Sequence, residues 1–220
     1  MSVVIPSRLK SWMRSAAPGW IGPVTRSDND YATHMPVLIG LARRCSIRSI
    51  LELGCGQYST STFLNRRVFA NLEVLDSYET DHSWAMALKE VTKDPRANMH
   101  MVAGTMASAI EGANLSTYDL IFVDDSTTEQ ERVMTIRSLS QRRPATSLVV
   151  VHDFEIDSYI RAASGFRHRY AFKAFNPETG VLWESGSTRR EVFKEIDSVI
   201  KQHARNLQPD DVEAWLQVFS

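Results

Sequence analysis

Acidic side chains recur in this chain where apolar runs end. Glu52 lies in "SILELGCG", Glu79 ends "LEVLDSYE", Asp124 and Asp125 end "YDLIFVDD", and Asp153 follows "SLVVVH". Carboxylates gathered at one edge can accept hydrogen bonds from a sugar, hold a cation or take a proton. His152, beside Asp153, has the ordinary pKa best suited to proton transfer near neutral pH. Gly54-Cys55-Gly56 forms a turn whose backbone N–H groups can face a ligand. A dinucleotide loop needs a third glycine where this chain has Ser59. The loop holds no Lys or Arg, and Glu52 precedes it. Such a loop suits a phosphate poorly and suits an ammonium or sulfonium group well. The nucleotide-binding pattern G-x-x-x-x-G-K-[ST] is absent.

The elements that position these residues can be read from the pattern around them. "SILELG", "LEVLDSYET", "ANMHMVAG", "YDLIFVDD" and "SLVVVHD" read as strands. "STSTFLNRR", "DHSWAMALKEVTKD", "TMASAIEGAN", "TTEQERVMTIRSLSQRR" and "IDSYIRAAS" read as the helices between and after them, with Asp81 as an N-cap. Alternation of this kind, with two strands apolar throughout their centres, predicts a mostly parallel sheet covered on both faces. "FRHRYAFKAF" and "GVLWES", joined by "NPETG", read as a closing hairpin. The expected architecture is a seven-stranded α/β three-layer sandwich. A helix capped by Ser187 or Thr188 and a short one carrying Trp215, Leu216 and Phe219 should follow. "DYATHMPVLIGLARRC" predicts a helix from about Tyr31, with Pro36 in its first turn.

Composition bounds the rest. A chain of 220 residues suffices for one α/β domain with a sizeable core. The expected division is an N-terminal helical segment and substrate lid over 1–48 and a core over 49–220, in one domain. A net charge of −1 points to neither nucleic acid nor an anionic membrane. No apolar run reaches the roughly 20 residues of a membrane span. Two cysteines make no disulfide framework, so a reducing, cytoplasmic setting is expected.

"LELGCG", "SYETD", "YDLIFVDD" and "LVVVHD", in this order and spacing, resemble class I S-adenosylmethionine-dependent methyltransferases over about residues 31–186. The resemblance implies a Rossmann-like sheet whose last strand is antiparallel. It implies that Gly54, Cys55 and Gly56 pack against the methionine moiety of S-adenosylmethionine, with Tyr58 and Asp124 beside them. Glu52 would lie under the loop and orient it. Glu79 would hold the ribose, and Thr80 or Asp81 would flank the adenosine. Thr105 and Met106 would lie near the adenine. Trp84 could touch the cofactor's edge, although its spacing from Leu88 favours the core.

The sulfonium methyl is already activated, so the protein must mainly align the reacting atoms. An oxygen acceptor also needs its proton removed. Candidates for that base are His152, Asp124 and Asp153. The favoured reading has no metal. The alternative places Mg²⁺ on Asp124 and Asp153, as in metal-dependent O-methyltransferases. The position of the third ligand there is Phe154, which leaves Glu155 or His152 to substitute. Tyr31 and His34, in the lid segment, are the substrate candidates, with Trp20 and Trp183 as possible pocket walls. The expected acceptor is an oxygen on a small molecule. Nitrogen is the alternative acceptor, and a NAD- or nucleotide-binding oxidoreductase the alternative enzyme. The N-terminal helix is expected to cover the site or to pair with another copy in a homodimer.

Overall fold

The computed structural model describes residues 30–125, 128–186 and 189–220. Residues 1–29 of the expected N-terminal helical segment, Trp20 among them, and the Ser187 or Thr188 cap lie outside them. Helix α1 (Met35–Arg44) precedes strand β1 (Ser49–Leu53). Then follow α2 (Gln57–Leu64), β2 (Val74–Glu79), α3 (His82–Ala87), β3 (Ala97–Met101) and α4 (Met106–Ala109). The second half runs β4 (Leu120–Val123), α5 (Glu129–Arg142), β5 (Leu148–His152), α6 (Asp157–Ala162), β6 (His168–Phe172), β7 (Thr179–Trp183), α7 (Arg189–His203) and α8 (Val212–Val218).

The seven strands form one sheet in the order β3-β2-β1-β4-β5-β7-β6. The first five are parallel, while β7 runs antiparallel to both β5 and β6. This is the expected mostly parallel sheet with a closing hairpin. Because the chain leaves β1 toward β2 and later returns on its other side to β4, the order reverses at β1. Ligands of open parallel sheets sit at such a switch, beyond the carboxyl ends of the strands.

Alternate residues of each strand feed two cores. Ile50, Phe122 and Val150 pack with α1, α2, α7 and α8 on one face. Leu51, Leu53, Val123 and Val151 pack with α4, α5 and α6 on the other. Trp183 is buried in the first core, stacked on His168, and is not a pocket wall. Three helices are shorter than their patterns. Pro36 falls at the start of α1, which therefore begins at Met35 and not at Tyr31. Asp81 caps α3 as expected, accepting from Ser83 N and Trp84 N, but the helix ends at Ala87. A single 3₁₀ turn follows at Val91–Lys93, before Pro95. The expected α4 shrinks to four residues behind its Thr105 cap.

The alternation on β1 puts one carboxylate inside. Glu52 is fully buried and accepts from Thr60 Oγ1 at 3.0 Å and Ser77 Oγ at 2.5 Å. Thr60 in turn accepts from Gly56 N at 3.1 Å, so the glycine loop hangs on this carboxylate. Burial pushes the Glu52 carboxyl up to about 7, against the pull of the Ser77, Ser59 and Thr60 hydroxyls.

Two predictions follow from the close of β1. Gly54 has φ +84°, and a Cβ there would stand 2.2 Å from Asp124 O and 2.5 Å from Asp125 Cα. Gly54→Ala is expected to cost about 2 kcal/mol or more, since backbone on both sides must move. An unchanged melting temperature would contradict the contact. Glu52 titrates higher in the folded chain than at its ordinary 4.5. The folded state then holds the proton more tightly, so stability falls as pH rises from about 4.5 to about 7. At about 1.4 kcal/mol per tenfold, roughly 3 kcal/mol is withheld above that window. Glu52→Gln is expected to raise stability in urea melts at pH 8 and to give no such gain at pH 5. Equal gains at both would show that Glu52 does not titrate in this way.

Candidate active site

The glycine loop crosses from β1 to α2 through residues 54–56. Gly54 N donates to Tyr78 O at 2.9 Å, which closes the loop onto β2. At the end of β2, Glu79 is buried, with both oxygens in use. Oε2 accepts from Cys55 N at 3.2 Å and the Cys55 thiol at 3.4 Å. Oε1 accepts from Thr80 N at 2.7 Å and Asp81 N at 2.8 Å. Burial raises the Glu79 pKa, and these backbone donors oppose the rise. Burial, then Glu52 and Glu79, push the Cys55 thiol well above its ordinary range, so it remains a donor and not a nucleophile. Trp84 has a role neither expectation gave it: its indole Nε1 donates to Cys55 O and ties α3 to the loop. Tyr58 lies half-buried in the first turn of α2. Thr105 is half-buried, but Met106 turns into the second core with Ile110 and Leu115. Its side chain therefore belongs to that core, whatever its backbone would face.

A second group closes the ends of β4 and β5. Arg132, from α5, is buried against Asp124 and Asp153, at 2.6 Å each, and lies 3.8 Å from Asp125. The Tyr159 ring lies 5.6 Å from the guanidinium. Burial opposes it, but Arg132 and then His152 hold the Asp124 carboxyl well below the usual carboxylate range. Asp125 accepts from Thr135 Oγ1 at 2.5 Å, and burial pushes it up to about 6. His152 is buried, with Nδ1 3.5 Å from both Asp124 Oδ2 and Asp153 Oδ1. Its Nε2 lies 3.0 Å from Thr33 Oγ1. Burial lowers its pKa, yet Asp124 and Asp153 outweigh burial and raise it. His34 packs edge-on to His152, ring centroids 4.8 Å apart, and against Phe122. Burial and then His152 lower its pKa to about 3, so it is neutral, and neither ring nitrogen has a hydrogen-bond partner among the described residues. Tyr31, nearly half exposed, lies on the surface of the same segment.

The structure therefore brings Glu52, Gly54, Cys55, Gly56, Glu79 and Thr80 into one group, and Asp124, Asp153, His152 and His34 into a second. Of the Mg²⁺ alternative, Asp124, Asp153 and His152 do come together, with one ligand atom of each within 4.8 Å of the others, but Arg132 pairs with both carboxylates. Phe154 is buried beneath Gly180, and Glu155 turns away to accept from Glu178 N at 2.7 Å. The sequence reading missed Arg132. Its signal was present: Arg132, Thr135, Ile136 and Leu139 share the buried stripe of α5.

No family model and no curated protein matches the chain in sequence. Solved structures match it in fold. Spermidine synthase from Thermotoga maritima is 14% identical, with a TM-score of 0.52 over 88% of this chain and 72% of that one. A spermidine synthase in complex with the transition state analogue AdoDATO is also 14% identical, with a TM-score of 0.51 over 87% and 76%. An O-methyltransferase family protein from Burkholderia thailandensis is 12% identical, with a TM-score of 0.51 over 72% of this chain and 58% of that one. With its strand order and closing hairpin, the chain has the Rossmann-like fold of the class I S-adenosylmethionine-dependent methyltransferases.

Proposed function

We propose that this chain transfers the methyl group of S-adenosylmethionine to an oxygen of a small-molecule acceptor. The observation that carries the reading is Glu79, a buried carboxylate joining the end of β2 to the glycine loop. A ribose diol takes two acceptor sites on such a carboxylate. Each Glu79 oxygen carries one long contact, the Cys55 thiol on Oε2 and the Thr80 hydroxyl on Oε1, both at 3.4 Å, and these are the two that the ribose hydroxyls replace. Glu52 and Glu79 are surrounded by neutral hydroxyl and amide donors and burial raises both, so an arriving sulfonium or ammonium favours their ionised forms. Phosphate ligands meet that same charge as repulsion, which disfavours NAD and ATP.

The acceptor side lies at β4 and β5. In this reading Nε2 of His152 takes the acceptor's proton, and Asp124 and Asp153 stabilise the imidazolium that results. Thr33 Oγ1 holds the position that the acceptor hydroxyl enters. The segment ahead of α1 is then the substrate lid, with His34 as an inner wall and Tyr31 at its outer edge. A compact acceptor fits this arrangement, because no long insertion stands between the strand ends to hold a larger one.

Two measurements test the reading. Thermal shifts are compared for S-adenosylmethionine, S-adenosylhomocysteine, NAD and ATP. A ligand at about 100 times its Kd stabilises by about 2.7 kcal/mol. The first two are expected to shift the wild type and to lose most of the shift in Glu79→Ala, whereas a shift with NAD alone would sink the cofactor assignment. Transfer of label from methyl-labelled S-adenosylmethionine to a panel of small phenols, alcohols and amines then identifies the acceptor atom. With an oxygen acceptor, the rate is expected to rise with pH through a midpoint above the ordinary histidine value, because the His152 pKa is raised. His152→Gln is expected to lower it by about 10²-fold or more. A rate indifferent to both would remove His152 as the base.

A further inference from the structure

Asp124, His152 and Asp153 each offer one ligand atom within 4.8 Å of the others, the spacing of a divalent cation site. A cation already stands among them. Arg132 Nη2 meets Asp124 Oδ1 and Nη1 meets Asp153 Oδ2, both at 2.6 Å, as a planar fork across two carboxylates. Its Nε faces Asp125 Oδ1 at 3.8 Å, and Tyr159 lies along its face. The guanidinium cannot lose its proton in this setting, since burial opposes its charge but Asp124 and Asp153 strengthen it.

A second, independent feature agrees. Asp153 has φ +58°, a left-handed conformation that side-chain-bearing residues rarely adopt. Through this turn its carboxylate meets the guanidinium while Phe154, the next residue, enters the core. The turn thus brings the Asp153 carboxylate to Arg132 and to His152 together.

We infer that Arg132 is the resident cation of this site, standing where a divalent metal would sit. It is a positioning residue. It takes one oxygen each of Asp124 and Asp153 and leaves Asp124 Oδ2 and Asp153 Oδ1 facing Nδ1 of His152, both at 3.5 Å. A guanidinium only donates, so it cannot bind an acceptor oxygen as a Lewis acid. Activation of the acceptor therefore falls to His152. The inference rests on the geometry of the cluster and is independent of the cofactor assignment.

The test uses Mn²⁺ alone, followed by electron paramagnetic resonance as the free-ion signal is lost on binding. Wild type and Arg132→Lys are expected to leave Mn²⁺ free up to about 1 mM, the weak limit of ordinary divalent sites. Arg132→Met is expected to bind one ion per chain, and Arg132→Met with Asp153→Asn to lose it. Binding of one ion by the wild type that Asp153→Asn abolishes would overturn the inference, and so would a folded Arg132→Met that binds none. Should Arg132→Met not fold, the comparison of wild type with Asp153→Asn still decides. A thermal shift with S-adenosylmethionine, measured separately on the wild type, keeps failure of the cofactor reading distinct from failure of this one.

Discussion

A carboxylate taken out of water is costly unless donors or cations replace the water. Five carboxylates meet along one edge of this sheet: Glu52, Glu79, Asp124, Asp125 and Asp153. The structure satisfies them in two ways. On the β1 and β2 side the partners are neutral: the hydroxyls of Thr60 and Ser77 around Glu52, and the amides of Cys55, Thr80 and Asp81 around Glu79. On the β4 and β5 side the partners include two positive groups, Arg132 and His152. Neutral donors hold a carboxylate in place but leave its charge uncancelled. Cations cancel it. One edge thus holds a half whose carboxyls burial raises and a half whose charges are paired, and under the proposed function the first faces the cationic methyl donor and the second takes the acceptor's proton.

The fold was legible because a parallel sheet writes itself plainly. Buried strands are apolar, loops carry glycine and acid, and the closing hairpin breaks the alternation. The first half of the site was legible for the same reason: Glu52, Gly54, Cys55, Gly56 and Glu79 lie at predicted strand ends, where topology alone fixes their neighbourhood. What sequence reasoning missed depends on which way a helix faces. Arg132 sits between Glu131 and Val133 and reads as one more basic residue on an exposed helix. Only its place on the buried stripe with Ile136 and Leu139 distinguishes it. Met106 and Trp84 were hard to place for a related reason. Each stands at the start of a very short helix, where a shift of one residue changes the face it presents.

The segment ahead of α1 shows how far position alone can mislead. Tyr31 and His34 were both expected at a substrate lid, and they lie on the same turn. Yet Tyr31 is nearly half exposed, whereas His34 is buried with both ring nitrogens unpaired. An unpaired buried imidazole is unfavourable by about 1–3 kcal/mol for each polar group left without a partner. Packing on Phe122 offsets part of that, and the neutral state avoids the larger cost of a buried charge. His34 therefore shapes the wall beside His152 without competing for the carboxylates that His152 needs.

The two halves of the edge are joined by backbone as well as by charge. Asp124 N donates to Leu53 O at 2.9 Å, and the next residue, Gly54, lies so close to Asp124 O that no side chain fits between them. Any shift of the glycine loop on cofactor binding must therefore press on the residue that Arg132 and His152 both contact. Gly54 and Asp153 are the two positive-φ residues that flank this junction, one on each half. Glycine adopts its conformation without strain, whereas Asp153 takes one that side-chain-bearing residues rarely adopt. The close contact at Gly54 and the turn at Asp153 together hold the loop, Asp124 and the imidazole in one frame. Under the proposed methyl transfer that frame is what the in-line step requires, because the methyl is already activated and alignment of donor and acceptor is what remains for the protein to supply.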